Sequence, residues 1–238
     1  MSELCLPASV LDGLQIRNSN RRKSIGIKVS PSGVRVSKPR YVSQAEVMTL
    51  LQTRRTWLLE KLAQQQQRQQ EKPIHHYGSG DCFQFLGRLL TLQVDEASLN
   101  GVREDQGLLK VTLSRRSQRP ADVRVRELIG EWFSNQVLNY LTEQSRIAAA
   151  RIGRTVTSVK VKITRSKWGH CSHQGELQYN WYIGFAPLPI IDYLVAHEVS
   201  HLAHMNHSAT FWAQVQQLCP DYVAARHWLK RHGHSLVL

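Results

Sequence analysis

The segment His197-Glu198-Val199-Ser200-His201 decides how this sequence is interpreted. Residues four apart on an α-helix lie one turn above each other, with about 5–6 Å between Cβ atoms, so His197 and His201 can bind one metal ion. Glu198 would then lie beside that ion. The alternative is a pair of surface histidines on an amphipathic helix. It is weakened by the histidines that follow, because a catalytic zinc needs a third protein ligand.

Two histidines downstream compete for the place of the third ligand. His204 would lie seven residues beyond His197, about 10.5 Å of helical rise, which is too far along the axis for easy tetrahedral closure. His207 can return to the metal if the helix ends near Met205 and Asn206 adopts the left-handed conformation that the turn needs. We therefore predict His207 as the third ligand.

This ligand set predicts a hydrolytic zinc site. Three protein ligands leave the fourth position for a water molecule, whose pKa zinc lowers to about 7. Glu198 can act as general base, taking the proton of the zinc-bound water and returning it to the leaving amine. The predicted reaction is the hydrolysis of peptide bonds in a protein or peptide substrate. The predicted metal ligands are His197, His201 and His207, Glu198 is the predicted catalytic residue and Zn2+ the predicted cofactor.

The apolar pattern predicts an α+β fold in two units. A small, mostly β unit with one helix is expected over residues 1–118, and a second, α+β unit over residues 119–238, because the composition shifts near residue 120. In the first unit, a period-two pattern predicts strands at Ile25 to Val29 and Val34 to Val36, joined near Pro31, and a capping box at Ser43 and Glu46 predicts the helix. Further strands are predicted over 82–94 and 107–113, with a turn at Asn100-Gly101.

The second unit is predicted to combine helices with strands. A long helix is expected to be capped by Asp122 and ended by Gly153, and a strand is expected over 177–185. Pro187 and Pro189 would open the helix that carries His197, since proline is tolerated in a first turn. Two later helices are predicted to be capped by Ser208 and Asp221.

Composition bounds the function class. The chain of 238 residues is 42% hydrophobic, and no stretch reaches the roughly 18 apolar residues of a membrane-spanning helix, so we expect a cytoplasmic protein without a membrane partner. Its four cysteines form no C-x-x-C pair, which argues against a disulfide framework or a cysteine-based zinc knuckle.

The net charge of +13 raises the question of a polyanionic partner. Between Arg17 and Arg40 there are eight basic residues and no acidic one. These side chains would line a solvated face of the predicted strands. Two interpretations stay open, contact with nucleic acid or nucleotides through this basic surface, and an ordinary solvated charged face.

The motifs of the second unit resemble the YgjP-like family of zinc metallopeptidases, which is related to the SprT-type proteases. The segments that carry the resemblance are Arg165-Ser166-Lys167-Trp168-Gly169-His170-Cys171-Ser172, Leu177-x-x-Asn180-Trp181, His197-Glu198-x-x-His201-Leu202 and Asn206-His207-Ser208-x-x-Phe211-Trp212. The resemblance implies a minimal zincin fold with metal ligands at His197, His201 and His207 and the acid/base at Glu198. The chain departs from the family pattern at His170, where Ser is usual, and at Val199-Ser200, where Leu-Ala or Leu-Cys is usual.

Several residues near these motifs have two interpretations. In the YgjP-like interpretation, the strand that ends at Asn180-Trp181-Tyr182 would edge the cleft and bind an extended substrate, whereas the alternative for Trp168, Asn180, Trp181 and Trp212 is core packing. His170 and His173 could hold a second metal or be ordinary surface groups. Lys167, His204 and Tyr222 are candidates for stabilising the transition state.

Two competing functions remain open beside the peptidase. One is a metal-dependent pyrophosphatase of nucleoside triphosphates, of the UTP type, acting at the same site. The other is a nucleic-acid-associated protein whose zinc is structural, in which replacing Glu198 would change no activity.

Overall fold

The computed structural model describes residues 6–20, 23–30, 32–164 and 166–238. The chain forms two compact units that divide between Lys72 and Pro73. None of the helices in these ranges is long and apolar enough to cross a membrane.

The N-terminal unit is a three-stranded sheet covered by helices on one face. Its elements are α1 (Ala8–Leu11), β1 (Gln15–Asn18), β2 (Gly26–Ser30), β3 (Gly33–Lys38), α2 (Gln44–Thr53) and α3 (Arg55–Gln70). The strand order is β1-β3-β2, with β1 parallel and β2 antiparallel to β3. Val34 and Val36 of β3 are buried together with Val47, Leu51 and Leu58 of the helices, which gives this unit its own core.

The two strands and the capping box predicted for this unit are confirmed. The Ser43 hydroxyl accepts from the backbone N–H of Glu46, and the Glu46 carboxylate accepts from the backbone N–H of Ser43. The predicted single helix is divided at Arg54, and its glutamine-rich end stays helical as far as Gln70. Pro31, in the predicted turn, lies outside the described residues.

The second unit places two sheets and three helices around one long helix. Its strands are β4 (Cys82–Phe85), β5 (Arg88–Ala97), β6 (Gly101–Asp105), β7 (Leu108–Ser114), β8 (Ser158–Lys162), β9 (Gly169–Cys171) and β10 (Glu176–Asn180). Its helices are α4 (Ala121–Arg151), α5 (Leu188–Ser200), α6 (Ala209–Leu218) and α7 (Tyr222–His232), with 3₁₀-helices at Trp181–Phe185 and Gly233–Ser235. The strand orders are β4-β5-β7-β6 and β8-β10-β9.

Two tight hairpins shape the four-stranded sheet. Leu86 and Gly87 join β4 to β5, and Gln106 and Gly107 join β6 to β7; all four residues have positive φ, which gives the backbone twist of a two-residue hairpin turn. The strand predicted over 82–94 is therefore two strands. The apolar pattern runs through Leu86 without a break and hides the turn.

Helix α4 is the centre of the second unit. It begins after Pro120 rather than at the predicted Asp122, which lies in its first turn, and Gly153 follows its end with φ of 63°, as expected of a helix-ending glycine. Phe133 on α4 packs against Phe85 of the four-stranded sheet, with 4.5 Å between the ring centroids. The residues of α4 and of both sheets belong to one hydrophobic core.

The predicted unit boundary after residue 118 differs from this division. The sequence shows a change from strands to a helix near residue 120, but the apolar face of the four-stranded sheet is buried against that helix. Because one shared core joins the sheet to α4, residues 82–114 pack with the second unit, and the compact units divide after Lys72.

The strand predicted over 177–185 ends earlier in the structure. Strand β10 stops at Asn180, whose side-chain oxygen accepts from the backbone N–H of Tyr182 and caps the 3₁₀-helix that follows. The apolar run from Trp181 to Phe185 continues the strand pattern, so the sequence gives no sign of this change. In the sheet, β10 pairs with β8 on one side and β9 on the other.

Candidate metal centre

Helix α5 carries the H-E-x-x-H segment on a buried scaffold. It begins after Pro187, with Pro189 in its first turn as predicted. Ile191, Val195 and Val199 are at most 3% exposed and belong to the core, so they form an apolar stripe along this helix. Anchoring one side of α5 in the core orients the opposite side toward the site.

The three predicted ligands lie together. The side chains of His197, His201 and His207 each offer a nitrogen atom, and these atoms all lie within 4.8 Å of one another. The two Nε2 atoms of His197 and His207 are 3.2 Å apart. Among the described residues, this is the group of histidine, cysteine and carboxylate side chains whose geometry suits a metal ion.

The chain turns back toward His197 and His201 after the end of α5. The helix stops at Ser200, and the backbone N–H groups of Leu202, Ala203 and His204 donate to carbonyl groups three or four residues back, which tightens the last turn. Asn206 is not among the described residues with positive φ, so the predicted left-handed turn at this position is wrong. The turns after Ser200 bring His207 back to the other two histidines without a left-handed residue at position 206.

His204 contributes its backbone to the site. Nδ1 of His201 lies 3.0 Å from the carbonyl oxygen of His204, which can accept a hydrogen bond from that nitrogen. Such a bond fixes the ring orientation and leaves Nε2 of His201 free as a ligand atom. The imidazole of His204 is not part of the three-histidine group, in agreement with the argument from helical rise.

Aromatic rings of α6 hold the three imidazoles. Ser208 caps α6 through the backbone N–H of Phe211, as predicted. The fully buried Phe211 ring has its centroid 5.0, 4.5 and 4.8 Å from those of His197, His201 and His207. Trp212 stacks on His207, with 5.7 Å between the centroids. Contacts of this kind restrict the rotamers of the ligands.

Burial keeps the imidazoles of His197 and His201 neutral. Desolvation, reinforced by the neighbouring histidines and by Arg226, lowers the pKa of His197 to about 3. Desolvation also lowers the pKa of His201. Neutral imidazole is the form that binds metals, so both rings are available as ligands at neutral pH.

Glu198 lies buried between α5 and strand β9. It is only 4% exposed, and burial raises its pKa to about 8, partly offset by the positive charge of Lys167. A Cβ atom on Gly169 of β9 would overlap the Glu198 carboxyl group, so the carboxyl group lies directly against the Gly169 backbone. Any residue with a Cβ atom at position 169 would displace the Glu198 carboxyl group.

Strand β9, and not β10, is the free edge beside the site. Because β10 is paired on both sides, the predicted addition of a substrate strand along Asn180-Trp181-Tyr182 is wrong. Strand β9 ends the sheet and packs against α5.

The remaining candidates are mostly structural. Asn180 is buried and donates to the Thr164 carbonyl, Trp181 is 7% exposed and belongs to the core, and Trp168 packs against Gly233. Core packing is therefore the role of these three residues, whereas Trp212 packs on the histidines.

His170 and His173 are exposed and belong to no group with metal-binding geometry within the described parts of the chain. Of the three candidates for transition-state stabilisation, Lys167 acts electrostatically on Glu198, and Tyr222 stacks on Trp212.

Two residues of the site were not predicted from the sequence. Arg226 on α7 places its guanidinium 4.6 Å from the centroid of the Trp212 ring. Its position four residues after Tyr222 puts both on one helix face, and this spacing was the available signal. Gly169 belongs to the motif of residues 165–172, but nothing in the sequence indicates that it faces Glu198.

Comparisons with known proteins identify the family of this chain. The model of the family described as "YgjP-like, metallopeptidase domain" matches residues 23–232. A solved structure, the metallopeptidase zymogen abylysin of Pyrococcus abyssi, is 18% identical and covers 38% of this chain and 93% of its own, with a TM-score of 0.35, which is too low to compare the folds. No curated protein matches. Since the family model spans most of the sequence, the chain belongs to the YgjP-like metallopeptidase family.

Proposed function

We propose that the protein is a zinc-dependent peptidase in which His197, His201 and His207 hold the ion and Glu198 is the general base. The observation that carries the proposal is the convergence of three imidazole nitrogens within 4.8 Å beside a buried carboxyl group on the same helix. Family membership supports metal-dependent peptide hydrolysis in general. The choice of zinc and the role of Glu198 are the finer parts of the proposal.

The donor set fits zinc. Three imidazoles with no thiolate or further carboxylate are a known catalytic zinc set, which leaves one position open. Two nitrogens bound at 2.0–2.1 Å with tetrahedral angles lie about 3.3 Å apart, close to the 3.2 Å between the Nε2 atoms of His197 and His207. A cation bound by both ring nitrogens would hold them at about this distance.

The chemistry divides between the ion and the protein. When bound, zinc supplies a Lewis acid and brings the pKa of a water in its open position to about 7. Glu198 takes the proton from the attacking water and delivers it to the leaving amine. The cation and Lys167 both favour the ionised carboxylate that this step needs and oppose the effect of burial. The backbone of Gly169 keeps the carboxyl group in place.

The substrate would lie along β9. The unpaired side of this edge strand can accept an extended peptide through backbone hydrogen bonds, which bind without regard to side-chain identity. Because Gly169 of β9 touches Glu198, a peptide paired with this strand passes next to the general base.

The decisive experiment is the substitution Glu198→Gln, tested against a panel of peptides and a panel of nucleoside triphosphates. We expect zinc content to be kept and peptide hydrolysis to fall about 10²–10⁴-fold, the usual contribution of a general base. Glu143→Gln, which alters an exposed glutamate of α4, is the matched control and should keep full activity.

Two outcomes would contradict the proposal. Hydrolysis of nucleoside triphosphates but not peptides, lost in Glu198→Gln, would assign the site to pyrophosphate chemistry. Peptide hydrolysis that survives Glu198→Gln unchanged would remove the general base from the mechanism.

A further inference from the structure

We propose that the uncovered face of the sheet β1-β3-β2 binds the phosphate backbone of duplex nucleic acid. This face lies in the N-terminal unit, and the inference is independent of the metal centre. Side chains of successive strand residues point to opposite faces, so the register identifies every residue that lies on it. We call it the basic face, and its members are Gln15, Arg17, Gly26, Lys28, Ser30, Gly33, Arg35 and Ser37.

Three cations of the basic face lie close together. Arg35 on the central strand is directly opposite Gln15 of β1 and Lys28 of β2, and Arg17 lies one row further along β1. Directly opposed residues have Cβ atoms about 4.5–5.5 Å apart. All three cations are exposed, whereas Val34 and Val36 between them point into the core.

These charges are not neutralised within the described parts of the chain. None of the ion pairs between described residues includes Arg17, Lys28 or Arg35, and the Arg35 guanidinium donates to the neutral side chain of Gln15. Residues 1–72 hold 13 Lys and Arg against 5 Asp and Glu, which is +8 of the chain's +13. Uncompensated like charges on one face repel each other, and a polyanion relieves that repulsion.

The other members of the basic face indicate a duplex rather than a single strand. They are Gly, Ser and Gln, which are short or neutral and leave the three cations projecting. Single-strand sites add aromatic side chains on which bases stack, and the basic face carries none of these. A face of cations without aromatic groups suits contact with phosphates, which is independent of sequence.

The test is the salt dependence of binding to a duplex DNA of mixed sequence, measured by fluorescence anisotropy. Each phosphate neutralised contributes about −0.9 to the slope of log K against log salt, so the triple variant Arg17→Gln, Lys28→Gln, Arg35→Gln should reduce the slope by about 2.7. We expect its affinity to fall at least tenfold in moderate salt. The three side chains are exposed, so circular dichroism should match that of the unaltered protein.

Two control variants isolate the basic face. Arg88→Gln, Arg115→Gln, Lys160→Gln makes the same change in net charge at exposed, ion-paired positions of the other unit and should leave the slope unchanged. The variant Arg17→Lys, Arg35→Lys keeps the charge and should keep the slope, because lysine also neutralises a phosphate.

Three results would overturn the inference. The first is that the control variant with altered ion pairs loses as much of the slope as the triple variant. The second is that the triple variant binds DNA as tightly as the unaltered protein. The third is that a single strand of the same length binds more tightly than the duplex.

Discussion

At the scale of single residues, the absence of a side chain at Gly169 makes room for the Glu198 carboxyl group. The Gly169 backbone touches the Glu198 carboxyl group, and its φ does not require glycine, so the reason for glycine here is space. A methyl group at this position would displace the Glu198 carboxyl group.

We therefore expect Gly169→Ala to lower kcat for peptide hydrolysis at least tenfold while zinc content stays at one equivalent. Overpacking of this kind also costs about 1–3 kcal/mol of stability. Gly78→Ala is the matched control, because a Cβ atom at Gly78 meets no heavy atom within 4 Å, and both variants would be compared by steady-state kinetics. Full activity in Gly169→Ala would show that this contact does not position Glu198.

The grouping of the three histidines could be predicted from sequence, but their surroundings could not. The spacing of His197 and His201 follows from one helical turn, and the rise of the helix favours His207 over His204. The position of Gly169 against Glu198, and of Arg226 over Trp212, depends on how separate elements pack. No local pattern carries that information.

At the scale of elements, helix α6 supports His207. His207 directly precedes the cap residue Ser208, and Phe211 in the first turn touches all three imidazoles. Fraying of this first turn would therefore release His207 and its packing together.

Ser208→Ala should cost about 1 kcal/mol of stability and weaken zinc binding severalfold, because the cap holds the turn that places His207. Zinc affinity would be measured by competition with a chelating indicator. Ser43→Ala, which removes the equivalent cap of α2 in the other unit, should cost a similar amount and leave zinc affinity unchanged. Equal zinc affinity in the two variants would contradict this role of α6.

Element types were predictable where one local rule dominates. The capping box of α2, the proline-led start of α5 and the period-two strands of the N-terminal sheet follow from local chemistry. The hairpin at Leu86-Gly87 and the 3₁₀-helix after Asn180 could not be predicted, because the apolar pattern continues through both segments. Tertiary packing of those apolar residues decides the backbone there.

At the scale of the whole molecule, the unit with the metal centre needs the four-stranded sheet. Phe133 of α4 packs against Phe83 and Phe85, and the buried Arg124 donates to the Ser114 carbonyl and to the Asn100 side chain. Removing the sheet would expose these apolar rings to water and take away both acceptors of the Arg124 guanidinium.

We expect the fragment of residues 73–238 to unfold cooperatively and to bind one equivalent of zinc, and the fragment of residues 119–238 to do neither. Circular dichroism melting curves and metal analysis of the two fragments check this expectation. A folded, zinc-binding fragment of residues 119–238 would restore the boundary that the sequence suggests and contradict the shared core.

The central claim is that three histidines hold one ion, and metal analysis of the purified protein tests it most directly. After incubation with excess zinc and removal of the unbound metal, the unaltered protein and His204→Ala should each hold one equivalent, since His204 contributes only its backbone carbonyl. His207→Ala should lose the ion or bind it at least a hundredfold more weakly. Unaltered protein without stoichiometric zinc, or His207→Ala with undiminished affinity, would contradict the claim.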